Sequence, residues 1–213
     1  MSPPAKGLVV RPLTPSRWPH FETLFGDNGA CGGCWCMYWR LPRKQFTAGK
    51  YAGNRDAMRA LVAAGARPGL LAYRDGEAIG WCSLAPRVAF PSLTRSRLFQ
   101  ALLDEGESAT WSVSCLFVRR DHRRTGVSVA LLRAAVEDAK ARGARALEGY
   151  PQEPTKSAMA DAFAWTGVAS AFRAAGFREV ARPSPTRPVM RVAFGALRSR
   201  ATRAGTTRAS RTS

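Results

Sequence analysis

The sequence predicts a single α/β domain, and three observations carry that expectation. Apolar strand-like runs alternate with amphipathic helical patterns along most of the chain. Asp75-Gly76 sits between two apolar runs as a hairpin turn. A strand, a basic glycine-containing turn and a long helix follow one another from Trp111 to Gly143. At 213 residues and 46% hydrophobic composition the chain can bury one substantial core, and the usual domain size leaves little room for a second.

The elements follow in order. Gly7-Leu-Val-Val-Arg-Pro12 is a β-branched run closed by proline and reads as a first strand, and Thr14 to Glu22 opens a helix with capping residues and early prolines. Gly26 to Arg40, rich in glycine, cysteine and tryptophan, has no clean period and reads as a loop. Asn54 stands where it can cap a helix from Arg55 to Gly65, whose apolar stripe is Met58, Leu61 and Val62. Gly69 to Leu84 contains the hairpin, giving two antiparallel strands. Pro86 to Thr110 is a connection with a helical piece at Leu98 to Leu103.

Trp111-Ser-Val-Ser-Cys-Leu-Phe-Val118 alternates and then turns apolar on both faces, as a central strand does. The helix from Val127 to Gly143 gathers Leu131, Leu132, Ala135, Val136 and Ala139 on one stripe, with Lys140 and Arg142 near its carbonyl end. Ala144 to Pro151 returns as a strand, Val168 to Gly176 makes a short helix, and Phe177 to Val180 and Pro188 to Phe194 supply two last strands. Residues 1–7 form an extension, 8–195 the domain, and 196–213 a basic tail with almost nothing to bury, expected to be disordered.

Lys and Arg total 33 against 15 Asp and Glu, a net charge of +18 that favours phosphate-bearing ligands, nucleic acid or acidic surfaces. Part of the excess is local, because Arg198, Arg200, Arg203, Arg208 and Arg211 crowd the acid-free tail. No apolar run approaches the ~20 residues of a membrane helix, and the start lacks the apolar core of a secretory signal, so the expectation is a cytoplasmic protein without a membrane partner. Five cysteines, an odd number, then read as reduced thiols.

A phosphate chain is well held where a strand ends in a tight turn whose N–H groups converge at a helix N-terminus, since unpaired donors and the helix dipole both favour negative charge. Arg123-Arg-Thr-Gly-Val-Ser128 meets that need: Gly126 lets the backbone approach a ligand, and Arg123 and Arg124 add charge beside it. The competing reading is a basic, solvated turn before an ordinary helix. There is no Gly-Lys-Ser/Thr of a P-loop and no triple-glycine dinucleotide fingerprint.

On these residues the sequence resembles the GNAT (GCN5-related) N-acetyltransferases, whose acetyl-CoA signature is Arg/Gln-x-x-Gly-x-Gly/Ala after the fourth strand. Arg123, Gly126 and Ser128 fall on its marked positions, Ser128 departing from the last small residue, and the order of elements matches over most of Leu8 to Phe194. The resemblance implies a twisted, mixed sheet whose strands on either side of the long helix splay apart to admit pantetheine. It implies that backbone groups of Leu116, Phe117 and Val118 pair with pantetheine. The turn residues Arg123, Arg124, Thr125, Gly126, Val127 and Ser128 would hold the pyrophosphate of acetyl-CoA. The tyrosine that family members often use to protonate the departing thiolate lies four residues before a Gly-Phe pair; this chain has Phe172 there, before Gly176-Phe177. Tyr150 is the candidate substitute. Glu148, in the strand expected to border the cleft, is the candidate base, against the alternative of a solvated edge carboxylate.

Cys31-Gly-Gly-Cys-Trp-Cys-Met-Tyr-Trp-Arg40 admits four readings. Structural zinc lacks a fourth local ligand, and a redox pair lacks its full signature. A substrate-side loop would use Trp35, Tyr38 and Trp39 as flat walls and Arg40 as an orienting charge, whereas core packing would put the aromatics under the first helix. Similar Cys-rich loops ending in Trp-Arg occur in some bacterial GNAT proteins. The expected function is transfer of an acetyl group from acetyl-CoA to a primary amine, in a small amine or an amino-containing antibiotic, with no metal. The rivals are an acyl-CoA-binding regulatory protein without turnover and a nucleic-acid-binding protein, the latter through non-specific contacts of the tail. Assembly as a homodimer is left open.

Overall fold

Residues 7–99, 109–153 and 165–194 are described by the structure, a computed structural model. Seven strands form one sheet: β1 (Val9–Pro12), β2 (Gly69–Arg74), β3 (Glu77–Pro86), β4 (Thr110–Val118), β5 (Ala146–Gly149), β6 (Arg178–Ser184) and β7 (Arg187–Ala193). Their spatial order is β1-β2-β3-β4-β5-β7-β6. Only β4 and β5 pair in parallel; every other neighbour is antiparallel. Among the described residues six helices accompany the strands: α1 (Trp18–Phe25), α2 (Arg43–Ala48), α3 (Ala52–Ala63), α4 (Pro91–Thr94), α5 (Val127–Ala141) and α6 (Ala169–Ala174).

Side-chain alternation divides the sheet into two faces. Trp111, Val113, Leu116, Leu147 and Met190 point to one, where they pack with Leu131, Leu132 and Ala135 of α5 and Phe172 of α6. Trp81, Cys115 and Leu71 point to the other and meet Phe21 and Phe25 of α1, Met58 of α3 and Trp35. At the β5–β7 end of this second face, Tyr150 and Val189 join Phe90, Leu93 and Phe99. The hairpin turn has both residues at positive φ, Asp75 at 51° and Gly76 at 84°, which suits the twist of the strands it joins. Among the described residues no helix is long and apolar enough to cross a membrane.

Three expectations change. Asn54 lies inside α3 and does not cap it: fully buried, its Nδ2 donates to the carbonyls of Gly33 (3.0 Å) and Phe46 (3.2 Å) and ties the loop to the helix. The short helix α2 falls where no periodic pattern is visible, and it buries only Phe46. The connection after β3 forms a 3₁₀ turn at Arg87–Ala89 and then α4, earlier than the helical piece expected at Leu98 to Leu103, most of which lies outside the described residues. The tail from 196 onward also lies outside them.

Candidate active site

The site begins where two parallel strands part. β4 and β5 pair from Thr110↔Ala146 to Val113↔Gly149; β5 then stops while β4 runs on to Val118. Leu116, Phe117 and Val118 therefore lie beyond the paired segment, with β3 on one side and the divergence on the other. A register shift between Ser83 and Leu84 leaves Ser114 without an opposite residue, a bulge of the kind that re-aims side chains. Phe172, at the position of the expected tyrosine, is fully buried beside the divergence: a Cβ on Gly149 would lie 2.0 Å from its ring. Aromatic packing fills that position, and no hydroxyl is present to donate a proton.

From β4 the chain passes through a 3₁₀ turn at Arg120–His122 to Gly126, the N-cap of α5. Arg124 (φ 60°) and Gly126 (φ 85°) both take the left-handed region, the alternation that gathers backbone N–H groups into a concavity for an anion. No side chain caps α5 and its first turn holds no acid, so its N-terminal donors and dipole are available. A Cβ on Gly126 would meet no protein atom within 4 Å, so it is the positive φ that favours glycine there. Thr125 and Gly126 are exposed, Ser128 is half-buried, and buried Val127 anchors the helix start against Gly80. Arg123 donates through Nε to the Val118 carbonyl at 3.1 Å, linking two residues that sequence reasoning treated separately.

On the second face, directly below the divergence, the buried residues are polar. Glu148 is 1% exposed. Its Oε1 accepts from Arg191 Nε (2.9 Å) and Nη2 (2.6 Å), and its Oε2 from Arg87 Nη1 (3.2 Å) and the Tyr150 hydroxyl (3.0 Å). A carboxylate offers about four acceptor sites, and these donors take them all. That geometry speaks against the proton-accepting role expected of Glu148 and also against a solvated edge carboxylate. Tyr150 is buried; burial first, and the neighbouring Glu148 charge second, push its hydroxyl well above the ordinary tyrosine value, so it keeps its proton. The same hydroxyl is 3.0 Å from Ser112 Oγ, and Ser114 donates to Ser83 at 3.0 Å.

Arg87, Arg191, Ser112 and Ser114 were missed by sequence reasoning. The serines had a signal, polar residues at alternate positions of a central strand. The arginines had none, since Arg87 and Arg191 meet Glu148 only through folding.

The cysteine-tryptophan loop divides. Trp35 is buried against Phe25 (5.6 Å between ring centroids) and Phe21 (6.0 Å), as core packing requires, and does not form a ligand wall. Arg40 is committed to the Pro68 carbonyl (3.0 Å) and the Phe90 ring (4.5 Å), and burial lowers it to about 10, so it is not a free orienting charge. Tyr38 and Trp39 remain half-buried and pack with Trp165 at 4.8 and 5.9 Å, and Trp39 reaches Tyr150 through Phe99. Cys36 accepts from Trp81 Nε1 (2.7 Å) and lies 3.2 Å from the Cys115 sulfur. Cys34, hydrogen-bonded to Cys36, is drawn down to about 7. All five cysteines are free, and among the described residues no three His, Cys, Asp or Glu side chains are grouped to hold a metal ion.

A model of the acetyltransferase (GNAT) family matches residues 35–160. No curated protein matches the sequence. Among solved structures, an acetyltransferase from Salmonella typhimurium, determined with its cofactor acetyl-CoA, has a TM-score of 0.52 at 13% identity, over 91% of this chain and 98% of that one. A GCN5-related N-acetyltransferase from Kribbella flavida has a TM-score of 0.52 at 18% identity, over 89% and 99%. A ribosomal-protein-alanine N-acetyltransferase from Brucella melitensis has a TM-score of 0.50 at 17% identity, over 87% and 99%. At these identities the structures speak for the fold, a mixed sheet flanked by helices, while the family match spans more than half of the sequence. The chain belongs to the GNAT family of acetyltransferases, and its class is acyltransferase.

Proposed function

We propose that this protein transfers the acetyl group of acetyl-CoA to a primary amine, through a domain spanning about residues 8–195. The observation that carries this reading is the divergence of β4 from β5 beside the uncapped N-terminus of α5, with a buried set of hydroxyls beneath it. The Arg123 to Ser128 turn would bind the pyrophosphate, and main-chain groups of Leu116 to Val118 the pantetheine arm. The Arg123 bond to Val118 would hold these two subsites in fixed relation.

In the transfer, the amine nitrogen bonds to the thioester carbon, the carbon–sulfur bond breaks, one amine proton leaves to water, and the thiolate takes up a proton. Holding amine and thioester together supplies much of the rate. Tyr150 donates its one hydroxyl proton to Glu148 and shares a second hydrogen bond with Ser112; turning that proton from Glu148 to Ser112 makes Tyr150 the donor toward the thiolate, through the Ser112 hydroxyl. Glu148, its lone pairs occupied, is a positioning residue that orients the Tyr150 hydroxyl and fixes Arg87 and Arg191. Tyr38 and Trp39 would line the acceptor side, and Trp35 and Arg40 would support them from beneath.

A panel of primary amines incubated with acetyl-CoA and the full chain tests the reading. At least one should release CoA with formation of the matching N-acetyl product by mass spectrometry. Thioester loss without any acetylated amine would contradict it.

A further inference from the structure

Among the described residues, Arg187 on the acceptor face has no carboxylate within ion-pair distance. Arg187 opens β7, and the register Glu148↔Arg191 with period-two alternation puts Arg187, Val189 and Arg191 on the same face as Glu148 and Tyr150. The Glu153 N–H donates to the Thr186 carbonyl at 2.9 Å, so the chain after β5 still runs beside the start of β7 there. Neighbouring arginines have carboxylate partners: Arg191 and Arg87 share Glu148, and Arg173 and Arg182 pair with Glu153 and Glu179. Among the described residues, the polar partner of Arg187 is the hydroxyl of buried Thr166, at 3.2 Å, and no carboxylate lies within ion-pair distance. Arg187 is half-buried; burial disfavours its charged form, and the nearby Tyr38 offsets this only in part. A partly desolvated guanidinium without an anion is costly unless something supplies one. Thr166, the partner of Arg187, follows Trp165 in the chain, and the Trp165 ring packs with those of Tyr38 and Trp39.

We infer that Arg187 and Thr166 form an anion subsite of the acceptor pocket, so that the acceptor is an amine carrying a carboxylate or phosphate at the far end of an apolar body. This rests on the acetyl-transfer reading and deepens it. The spacing selects among anionic amines: Arg187 lies two to four strand residues from the Tyr150–Glu148 level, roughly 7–13 Å at about 3.3 Å per residue. The α-amine of a free amino acid, whose carboxylate sits on the same carbon, cannot reach both ends. A terminal amine on an extended chain can, with the aromatic rings covering the chain between.

A matched series decides it: ε-aminocaproate, aminohexyl phosphate and neutral hexylamine, each assayed for N-acetylation by the full chain with acetyl-CoA. At least one anionic member should exceed hexylamine in kcat/KM by about 10- to 100-fold, the range of a charge-assisted hydrogen bond, chiefly through KM. Arg187→Gln should erase that advantage while leaving hexylamine turnover and acetyl-CoA affinity unchanged, and Arg187→Lys should keep part of it, having charge without the fork. Should Arg187→Gln fail to fold, the wild-type series and the lysine variant still decide. Which anion gains tells carboxylate from phosphate. Equal turnover of charged and neutral members, an advantage that survives Arg187→Gln, or no acetylation of any member by a protein that binds acetyl-CoA overturns the subsite alone. A protein that does not bind acetyl-CoA would instead overturn the acetyl-transfer reading.

Discussion

Replacing Glu148 by alanine should destabilise the fold by about 3–5 kcal/mol, because it removes the shared partner of two arginines and leaves their charge without compensation. Arg87 and Glu148 side chains are 8% and 1% exposed and Arg191 is 21% exposed, so solvent can repair little of the loss at Arg87 and more at Arg191. Urea unfolding should show a lower midpoint. Glu148→Ala combined with Arg87→Met should recover part of the loss, since that substitution removes the more deeply buried of the two stranded charges. The isosteric Glu148→Gln separates two roles. A general base becomes dispensable at high pH, where amines deprotonate unaided, whereas a positioning carboxylate does not. The activity lost in Glu148→Gln should therefore persist across the pH range.

Tyr150→Phe should lower kcat by ~10²- to 10⁴-fold with little change in acetyl-CoA affinity, the signature of a proton donor that acts in the chemical step. The phenol is bonded to both Ser112 and Glu148, so its removal also breaks the connection between the divergence and the buried ion pairs. A loss below about tenfold, measured on the best amine of the panel, would assign the ring to packing against Phe99.

What the sequence made legible was local. The Asp75-Gly76 turn, the apolar stripe of α5 and the abrupt change from the β4 pattern to a basic glycine turn each follow from residues adjacent in the chain, and each is present in the fold. What stayed hidden depends on distance. Glu148 looked like a free carboxylate because Arg87 and Arg191 reach it only across the sheet. Asn54 carries the residue type of a cap, yet its amide is drawn inward by carbonyls of a loop with no periodicity to place it. Trp35 and Tyr38, three residues apart, were indistinguishable as aromatics. Positive φ at Trp35 and Cys36 turns one ring beneath α1 and leaves the other near Trp165.

The central claim is that the turn before α5 and the gap beside β4 bind acetyl-CoA, and titration calorimetry on the purified full chain tests it most directly. The folded wild type should bind acetyl-CoA with one-to-one stoichiometry. Gly126→Val should weaken binding by at least about tenfold, because a β-branched residue is strained at φ 85° and its Cβ, with no protein atom within 4 Å, would stand where the pyrophosphate is proposed to bind. A folded wild type that takes up no acetyl-CoA would contradict the account, as would a Gly126→Val variant that binds as tightly as the wild type.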